Sequence, residues 1–268
     1  MAATRDFKII VPIKQVPDMD SVEFDYEEGR VDRSSAELEP NPFDLNALEE
    51  AVRAKEELGG EVIALSMGPK QAESTLREAL ARGADRGILL SDKAFAGSDT
   101  WATAKALALA TEKLAPFDLI ICGEKTVDGD TGQVGPEMAE SLGVPHVPFV
   151  SEVLARSKEW FDLEGTVWDK RYVKRVRPPF LFAVTKDVNE PRLPAFKDKM
   201  RARKEEIEIW EAADIAEDVE GFGINGSPTF VKGVEVPPPQ EREGIIFEQE
   251  PGEAVDKLFE ALTREGIL

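Results

Sequence analysis

Residues 119–137 read LIICGEKTVDGDTGQVGPE, which is a short apolar run, a glycine-rich loop (residues 123–133) and the start of a helix. Three similar apolar runs come before it, and a helix-length amphipathic segment follows each of them. These runs are residues 8–11, 62–66 and 87–90. Short apolar strands that alternate with helices are typical of a mostly parallel sheet with helices on both faces. The sequence therefore predicts an α/β fold.

The predicted helices begin and end at recognisable residues. Asn41 occupies the N-cap position before Pro42, and Gly59 ends this first helix. Further helices are predicted at residues 71–82, 99–114 and 133–142. The pattern then changes, because residues 151–177 contain alternating polar and apolar side chains. This alternation predicts a strand or a hairpin against the main sheet, with a turn near residues 163–165.

The overall charge makes several classes of partner unfavourable. The 268 residues carry a formal net charge of −20, so nucleic acid and anionic membrane surfaces are poor partners. No segment has the roughly 18–20 consecutive apolar residues of a membrane span. Residues 1–7 lack the apolar core of a signal peptide, and the single cysteine excludes an intramolecular disulfide. We expect a cytoplasmic protein.

The glycine-rich loop is the strongest candidate for a binding site. Its glycines permit close approach of a ligand to the backbone. The free N–H groups near Gln133, at the start of the next helix, form a natural seat for a phosphate. An ordinary connection that ends in a capped helix has the same pattern, and the residues alone leave both interpretations open.

Other residues near the predicted strand ends also have two interpretations. Asp128 and Asp130 are expected to fix the loop or to bond a ribose hydroxyl or ring amine, because a carboxylate repels phosphate. Met67 either packs on an adenine or fills the core. His146, the only histidine, lies between two prolines, and Cys122 ends a buried strand. Both are predicted to be structural, so the sequence predicts no catalytic residue and no metal site.

Several landmarks, in the same order along the chain, resemble those of the β subunits of electron-transfer flavoproteins. They are VPIKQVPD at residues 11–18, NPFDLNALEEAV at 41–52, SMGP at 66–69, ALARGADRGILL at 79–90, the CGEKTVDGDTGQVGP loop and RPPFLFAVTKDVNEPRLPAF at 177–196. The resemblance implies a Rossmann-like domain at residues 1–210 that contains a nucleotide pocket. The implied pocket residues are Pro12, Asn41, Pro42, Phe43, Asp44, Met67, Gly123, Glu124, Lys125, Thr126, Val127, Asp128, Gly129, Asp130, Thr131, Gly132, Gln133 and Val134.

The same resemblance implies partner contacts in two other segments. Residues 186–196 resemble a loop that docks onto dehydrogenases, and its implied docking residues are Val188, Asn189, Glu190, Pro191 and Arg192. The pattern of residues 211–268 fits either a tail folded back onto the domain or an arm that packs elsewhere. The resemblance implies an extended arm whose terminal helix packs on the larger α subunit, which holds the transferring FAD. A quinone oxidoreductase or a ferredoxin-linked protein is the implied electron acceptor.

Two versions of this family differ in the nucleotide of the β subunit. One version holds structural AMP, and the other holds a second FAD that accepts hydride from NADH for electron bifurcation. The DGDTGQVGP loop resembles the bifurcating version, in which Gly132 replaces an asparagine and leaves room for a diphosphate. The resemblance therefore implies FAD, with AMP as the alternative. Lys125 and Arg171 are candidates for stabilising an anionic flavin, and no side chain is expected to be an essential acid or base.

Two functions of other classes share the alternation of strands and helices. An adenine-nucleotide sensor of the universal-stress type would lack both the NEPR segment at residues 189–192 and the long C-terminal arm. An ATP pyrophosphatase needs a serine- and glycine-rich phosphate loop after the first strand. This chain has Pro12, Ile13, Lys14 and Gln15 there, so both alternatives fit the sequence less well.

Overall fold

A computed structural model describes residues 6–18, 23–25, 30–32, 37–233 and 244–268. Its strands are β1 Lys8–Pro12, β2 Gln15–Pro17, β3 Glu23–Asp25, β4 Arg30–Asp32, β5 Leu38–Pro40, β6 Glu61–Met67, β7 Arg86–Leu90, β8 Leu119–Gly123, β9 His146–Arg156, β10 Phe161–Val167, β11 Lys170–Val176, β12 Phe180–Val184 and β13 Ile207–Trp210. Its α-helices are α1 Pro42–Leu58, α2 Glu73–Arg82, α3 Thr100–Lys113, α4 Val134–Leu142, α5 Phe196–Ala202, α6 Ala212–Ile215, α7 Gly223–Gly226 and α8 Pro251–Arg264.

The main sheet has nine strands in the order β11-β10-β9-β12-β8-β1-β6-β7-β13. Every neighbouring pair from β9 to β13 is parallel, which confirms the predicted mostly parallel α/β fold. The chain leaves β1 towards β6 and β7 and then returns to β8 on the other side of β1. Crevices that bind ligands form where strand order reverses in this way, at the carboxyl ends of the strands. The reversal here lies between β1 and β8.

Each face of the sheet is covered by its own helices. Side chains alternate between the faces along a strand, so Ile9 of β1 packs on the side of α1 with Leu48, while Ile10 packs on the side of α3 with Leu107. The helices therefore bury both faces of the central strands, as the continuous apolar runs predict.

The predicted hairpin turn near residues 163–165 is wrong. These residues lie in the middle of β10, which pairs antiparallel with both β9 and β11. Phe161 and Leu163 are buried, and Asp162 alternates with them, so the strand pattern continues through this segment. The strand β11, which reads KRYVKRV, is the last strand at this side of the sheet.

The predicted domain boundary at residue 210 differs from the division of the chain into compact units. The chain divides into two compact units, Met1–Lys232 and Gly233–Leu268. Phe222 is 2% exposed, and its ring lies 5.2 Å from that of Phe95 between centroids. Residues 211–232 therefore belong to the first unit because a buried aromatic side chain attaches them to the core.

The second unit contains α8, which has one apolar face. Val255, Leu258 and Phe259 are on this face and are exposed within the unit. In the described part of the chain, no helix is both long enough and apolar enough to cross a membrane.

The different burial of two phenylalanines in the last quarter of the chain predicts different losses of stability when they are replaced. Replacing buried Phe222 by alanine removes core contacts and leaves a cavity, so we expect a loss of about 3 kcal/mol in unfolding free energy. Phe230 is 77% exposed, and Phe230→Ala is the matched control with little expected effect. Urea unfolding of both variants measures the difference. Equal stabilities would show that residues 211–232 are not part of the core.

Candidate functional site

The carboxyl group of Asp44 connects the two strands at the crevice. Its Oδ2 accepts a hydrogen bond from the N–H of Lys14, 2.9 Å away, just after β1. Its Oδ1 accepts one from the N–H of Gly123, 3.2 Å away, at the end of β8. Asp44 is only 5% exposed, so this buried side chain in the first turn of α1 fixes the strand ends relative to each other.

Asn41 holds the glycine-rich loop through both polar atoms of its side-chain amide. Its Nδ2 donates to the carbonyl of Lys125 at 2.9 Å, and its Oδ1 accepts from the N–H of Val127 at 3.2 Å. The predicted N-cap bond is absent from the described structure, because this amide bonds the loop instead of the helix. The backbone carbonyl of Asn41 accepts the first helical bonds. Asn41 is fully buried, so its role is to shape the loop.

Two ion pairs also involve aspartates of the loop. Asp128 pairs with Lys14 at 2.7 Å, and Asp130 pairs with Lys125 at 2.7 Å. Burial raises the pKa of Asp128, but hydrogen bonds from Lys14 and Thr126 outweigh this and hold the pKa below its ordinary value. Both aspartates therefore stabilise the loop conformation, which is one of the two roles predicted for them.

Two glycines of the loop meet definite steric requirements. A Cβ at Gly123 would lie 2.6 Å from the Cβ of Phe43, so only glycine allows α1 to approach the end of β8 this closely. Gly132 has a φ of +64°, in the left-handed region that favours glycine. The glycine predicted to leave room for a ligand thus also has a conformational role of its own.

The start of α4 offers unused hydrogen-bond donors. Among the described residues, the backbone N–H groups of Thr131, Gly132, Gln133 and Val134 have no acceptor. They precede or begin a helix of nine residues, whose dipole adds partial positive charge at this end. Converging amides at a helix N-terminus suit an anion such as a phosphate group, so the residues present fit a nucleotide.

The remaining predicted pocket residues lie at the same edge of the sheet. Pro12 ends β1 and is buried, and Met67 ends the neighbouring β6. Phe43 is 7% exposed, and the Nζ of Lys186 lies 4.8 Å from its ring centroid. The fold thus places the strand ends and the first turn of α1 at one edge of the sheet, which is the candidate site. Arg171 does not belong to it, because it lies on β11 and pairs with Glu164 at 3.2 Å.

Three side chains at this site were not among the predicted pocket residues. Lys14 pairs with Asp128, as described above. Thr100 Oγ1, at the start of α3, lies 3.3 Å from Oε1 of Glu137 and 3.4 Å from Oε1 of Gln133. Burial raises the pKa of Glu137, and its Oε2 is buried without a hydrogen-bond partner. Of these three side chains, only Lys14 could be placed near the site from the sequence, because it follows β1 directly.

The predicted docking residues lie beside α1. Asn189 and Arg192 direct their side chains towards this helix, where Arg192 pairs with Glu49 at 2.7 Å and with Glu56 at 2.6 Å. Glu190 is exposed between them. The structure therefore distinguishes inward-facing from outward-facing residues within the NEPR segment.

Comparison with known proteins identifies the family. A family model described as "Electron transfer flavoprotein domain" matches residues 29–215.

The chain belongs to the electron transfer flavoprotein family.

It is 43% identical to the electron transfer flavoprotein subunit beta of Thermoanaerobacterium thermosaccharolyticum, over 97% of this chain and 99% of that protein. It is 38% identical to the corresponding subunit of Megasphaera elsdenii, over 97% and 100%. It is also 38% identical to the caffeyl-CoA reductase-Etf complex subunit CarD of Acetobacterium woodii, over 97% and 100%. As a β-subunit homologue in an electron-transfer family, it pairs with an α subunit and is associated with a flavin or nucleotide at the family level.

The buried Asp44 predicts a pH dependence for this flavoprotein subunit. Burial raises the pKa of Asp44 to about 7 from 3.8, against hydrogen bonds from Lys14, Asn41 and Gly123. The folded chain therefore binds this proton more tightly than the unfolded chain, and the resulting stability is lost as the pH rises through 7. Between pH 5 and pH 7.5, the stability of wild type relative to Asp44→Asn is expected to fall by about 2–3 kcal/mol.

Urea unfolding at a series of pH values measures this change on the chain without added nucleotide. The exposed Asp169→Asn variant is the control, and its profile is expected to parallel that of wild type. A parallel profile for Asp44→Asn would contradict the assignment of the proton to Asp44.

Proposed function

We propose that this chain is the β subunit of a bifurcating electron transfer flavoprotein, and that its crevice binds FAD. The observation that carries the proposal is the group of unused backbone donors at residues 131–134, located where strand order reverses between β1 and β8. The nucleotide phosphates rest on these N–H groups, and the dipole of α4 offsets part of their charge.

The side chains around the crevice divide into two groups by burial. Asn41 and Asp44 are 0% and 5% exposed, so they hold the walls of the site and leave ligand contacts to other groups. Pro12, Met67 and the backbone at Pro42 and Phe43 border the adenosine. Residues from distant parts of the chain thus form one pocket, because the buried side chains hold its walls together.

A bound FAD supplies hydride and one-electron chemistry, and the protein supplies its position and electrostatic environment. When bound here, FAD would accept hydride from NADH. Lys125 is the cation of the loop, and its Nζ lies 2.7 Å from Asp130 in an exposed ion pair. No side chain of this subunit is assigned a proton-transfer role.

Two surfaces carry the partner contacts. The 186–196 loop docks onto a flavin-dependent dehydrogenase, and its 186–192 segment contains the predicted docking residues. The relative from Acetobacterium woodii is named as a subunit of a caffeyl-CoA reductase complex, which supports a partner that acts on acyl-CoA compounds. The apolar face of α8, with Val255, Leu258 and Phe259, packs on the α subunit. Electrons continue to a quinone oxidoreductase or to a ferredoxin-linked acceptor in the cytoplasm.

The nucleotide content of the αβ heterodimer tests the proposal. We expect two flavins per heterodimer after purification, since this subunit adds one FAD to that of the α subunit. Acid extraction, followed by chromatography and absorbance measurement, gives the amounts of FAD and AMP. One flavin together with one AMP would overturn the bifurcating assignment, because the same amides would then hold the single phosphate of AMP.

A substitution at Gln133 tests the location of the phosphates. A carboxylate at this position competes for the helix N–H groups and repels phosphate, so Gln133→Glu is expected to weaken binding at least about tenfold. Gln71→Glu, at an exposed position before α2, is the matched control. The α-subunit flavin serves as an internal standard in the heterodimer. Full nucleotide retention in Gln133→Glu would place the phosphates elsewhere.

A further inference from the structure

The 186–192 segment is attached to α1 by side chains instead of by strand pairing. Its first residues form a single 3₁₀ turn, Lys186–Val188, and residues 189–195 belong to neither helix nor strand. Such a segment lacks the backbone ladders that hold β12 before it. Its conformation therefore depends on the contacts made by its side chains and carbonyl groups.

Asn46 and Asn189 form a reciprocal amide pair. Nδ2 of Asn46 donates to the carbonyl of Asn189 at 2.7 Å, to its Oδ1 at 3.1 Å and to the carbonyl of Lys186 at 3.3 Å. Nδ2 of Asn189 donates to the carbonyl of Asn46 at 3.0 Å. Asn46 is 4% exposed, so these bonds satisfy a buried amide that would otherwise be costly to desolvate.

Glu49, one turn further along α1, provides a second attachment. Its Oε2 accepts from the backbone N–H of Arg192 at 3.1 Å and from the guanidinium Nε at 2.7 Å. Burial raises the pKa of Glu49, but hydrogen bonds from Arg192 and Arg53 outweigh this and hold the pKa below its ordinary value. Glu49 is therefore ionised near neutral pH and bonds both the main chain and the side chain of Arg192.

We propose that Asn46 and Glu49 are positioning residues for partner docking, which fix the conformation of the 186–192 segment through Asn189 and Arg192. This inference rests on the proposed docking function of that segment. Asn189 and Arg192 use their donors on α1, so they act on the partner through the shape of the segment. The surface that meets the partner is then the outward side, which includes the exposed Glu190.

Hydrogen exchange measured on the αβ heterodimer tests the attachment directly. Asn46→Ala is expected to speed amide exchange in residues 186–192 about tenfold or more, since at least two net hydrogen bonds are lost. Exchange in β8 and β12 is expected to stay at the wild-type rate, which shows that the fold is intact. Asn225→Ala, at an exposed position in α7, is the matched control.

A double-mutant cycle isolates the one bond that joins the two side chains, from Nδ2 of Asn46 to Oδ1 of Asn189. The other bonds of the pair go to backbone carbonyls or to Glu50 and remain when only the partner side chain is removed. The double variant is therefore expected to lose less protection than the sum of the two single variants, by about the contribution of one hydrogen bond. Glu49→Gln keeps an acceptor for Arg192 without the charge and is expected to retain much of the protection that Glu49→Ala loses. Fully additive effects of the two asparagine variants would overturn the bond between the two side chains.

Electron transfer from a flavin-dependent acyl-CoA dehydrogenase of the source organism provides the functional readout. Asn46→Ala is expected to raise the KM for the heterodimer about tenfold while kcat is unchanged. The substitution weakens docking but leaves the flavin sites unchanged. Unchanged exchange in residues 186–192 would overturn the positioning role and leave docking itself intact. Faster exchange with an unchanged KM would overturn the docking assignment and the inference that rests on it.

Discussion

The buried carboxyl of Asp44 is the contact on which the candidate site depends. Strands β1 and β8 are parallel neighbours, but the chain continues from β1 towards β6 and from β8 towards β9, on opposite sides of the pair. The connections that follow the two strands therefore diverge at the point of reversal. Asp44 bridges the two strand ends through the N–H groups of Lys14 and Gly123. The neighbouring Asn41 then fixes the loop that leaves β8. The geometry of the loop amides at the start of α4 thus follows from two buried side chains around the first turn of α1.

The sequence predicts the parallel part of the fold well because its strands are buried on both faces and read as continuous apolar runs. It predicts the antiparallel strands less well. Gly165 is a common turn residue, yet it lies within β10 because Phe161 and Leu163 are buried on the same strand. Phe222 shows a similar limit, since its ring reaches the core from a glycine-rich segment with no strand or helix period.

The site was predicted in outline but not in its contacts. Asn41 before Pro42 has the local pattern of a helix cap, and its amide is instead used by Lys125 and Val127, more than 80 positions away. No local rule reveals such a bond. The landmark segments nevertheless lie close together in the fold. One helix, α1, contacts the glycine-rich loop around its first turn and the 186–192 segment further along, so the proposed nucleotide site and the proposed docking surface share one rigid support.

The last strand at one side of the sheet, β11, affects the tendency of the unassembled subunit to aggregate. An edge strand exposes unpaired N–H and C=O groups that recruit further strands from other molecules. Here Lys170, Arg171, Lys174 and Arg175 occupy more than half of its seven positions. Two copies that approached edge to edge would bring these cations together, which disfavours intermolecular sheet growth. These charges thereby disfavour aggregation of newly made chains along this edge before they bind the α subunit.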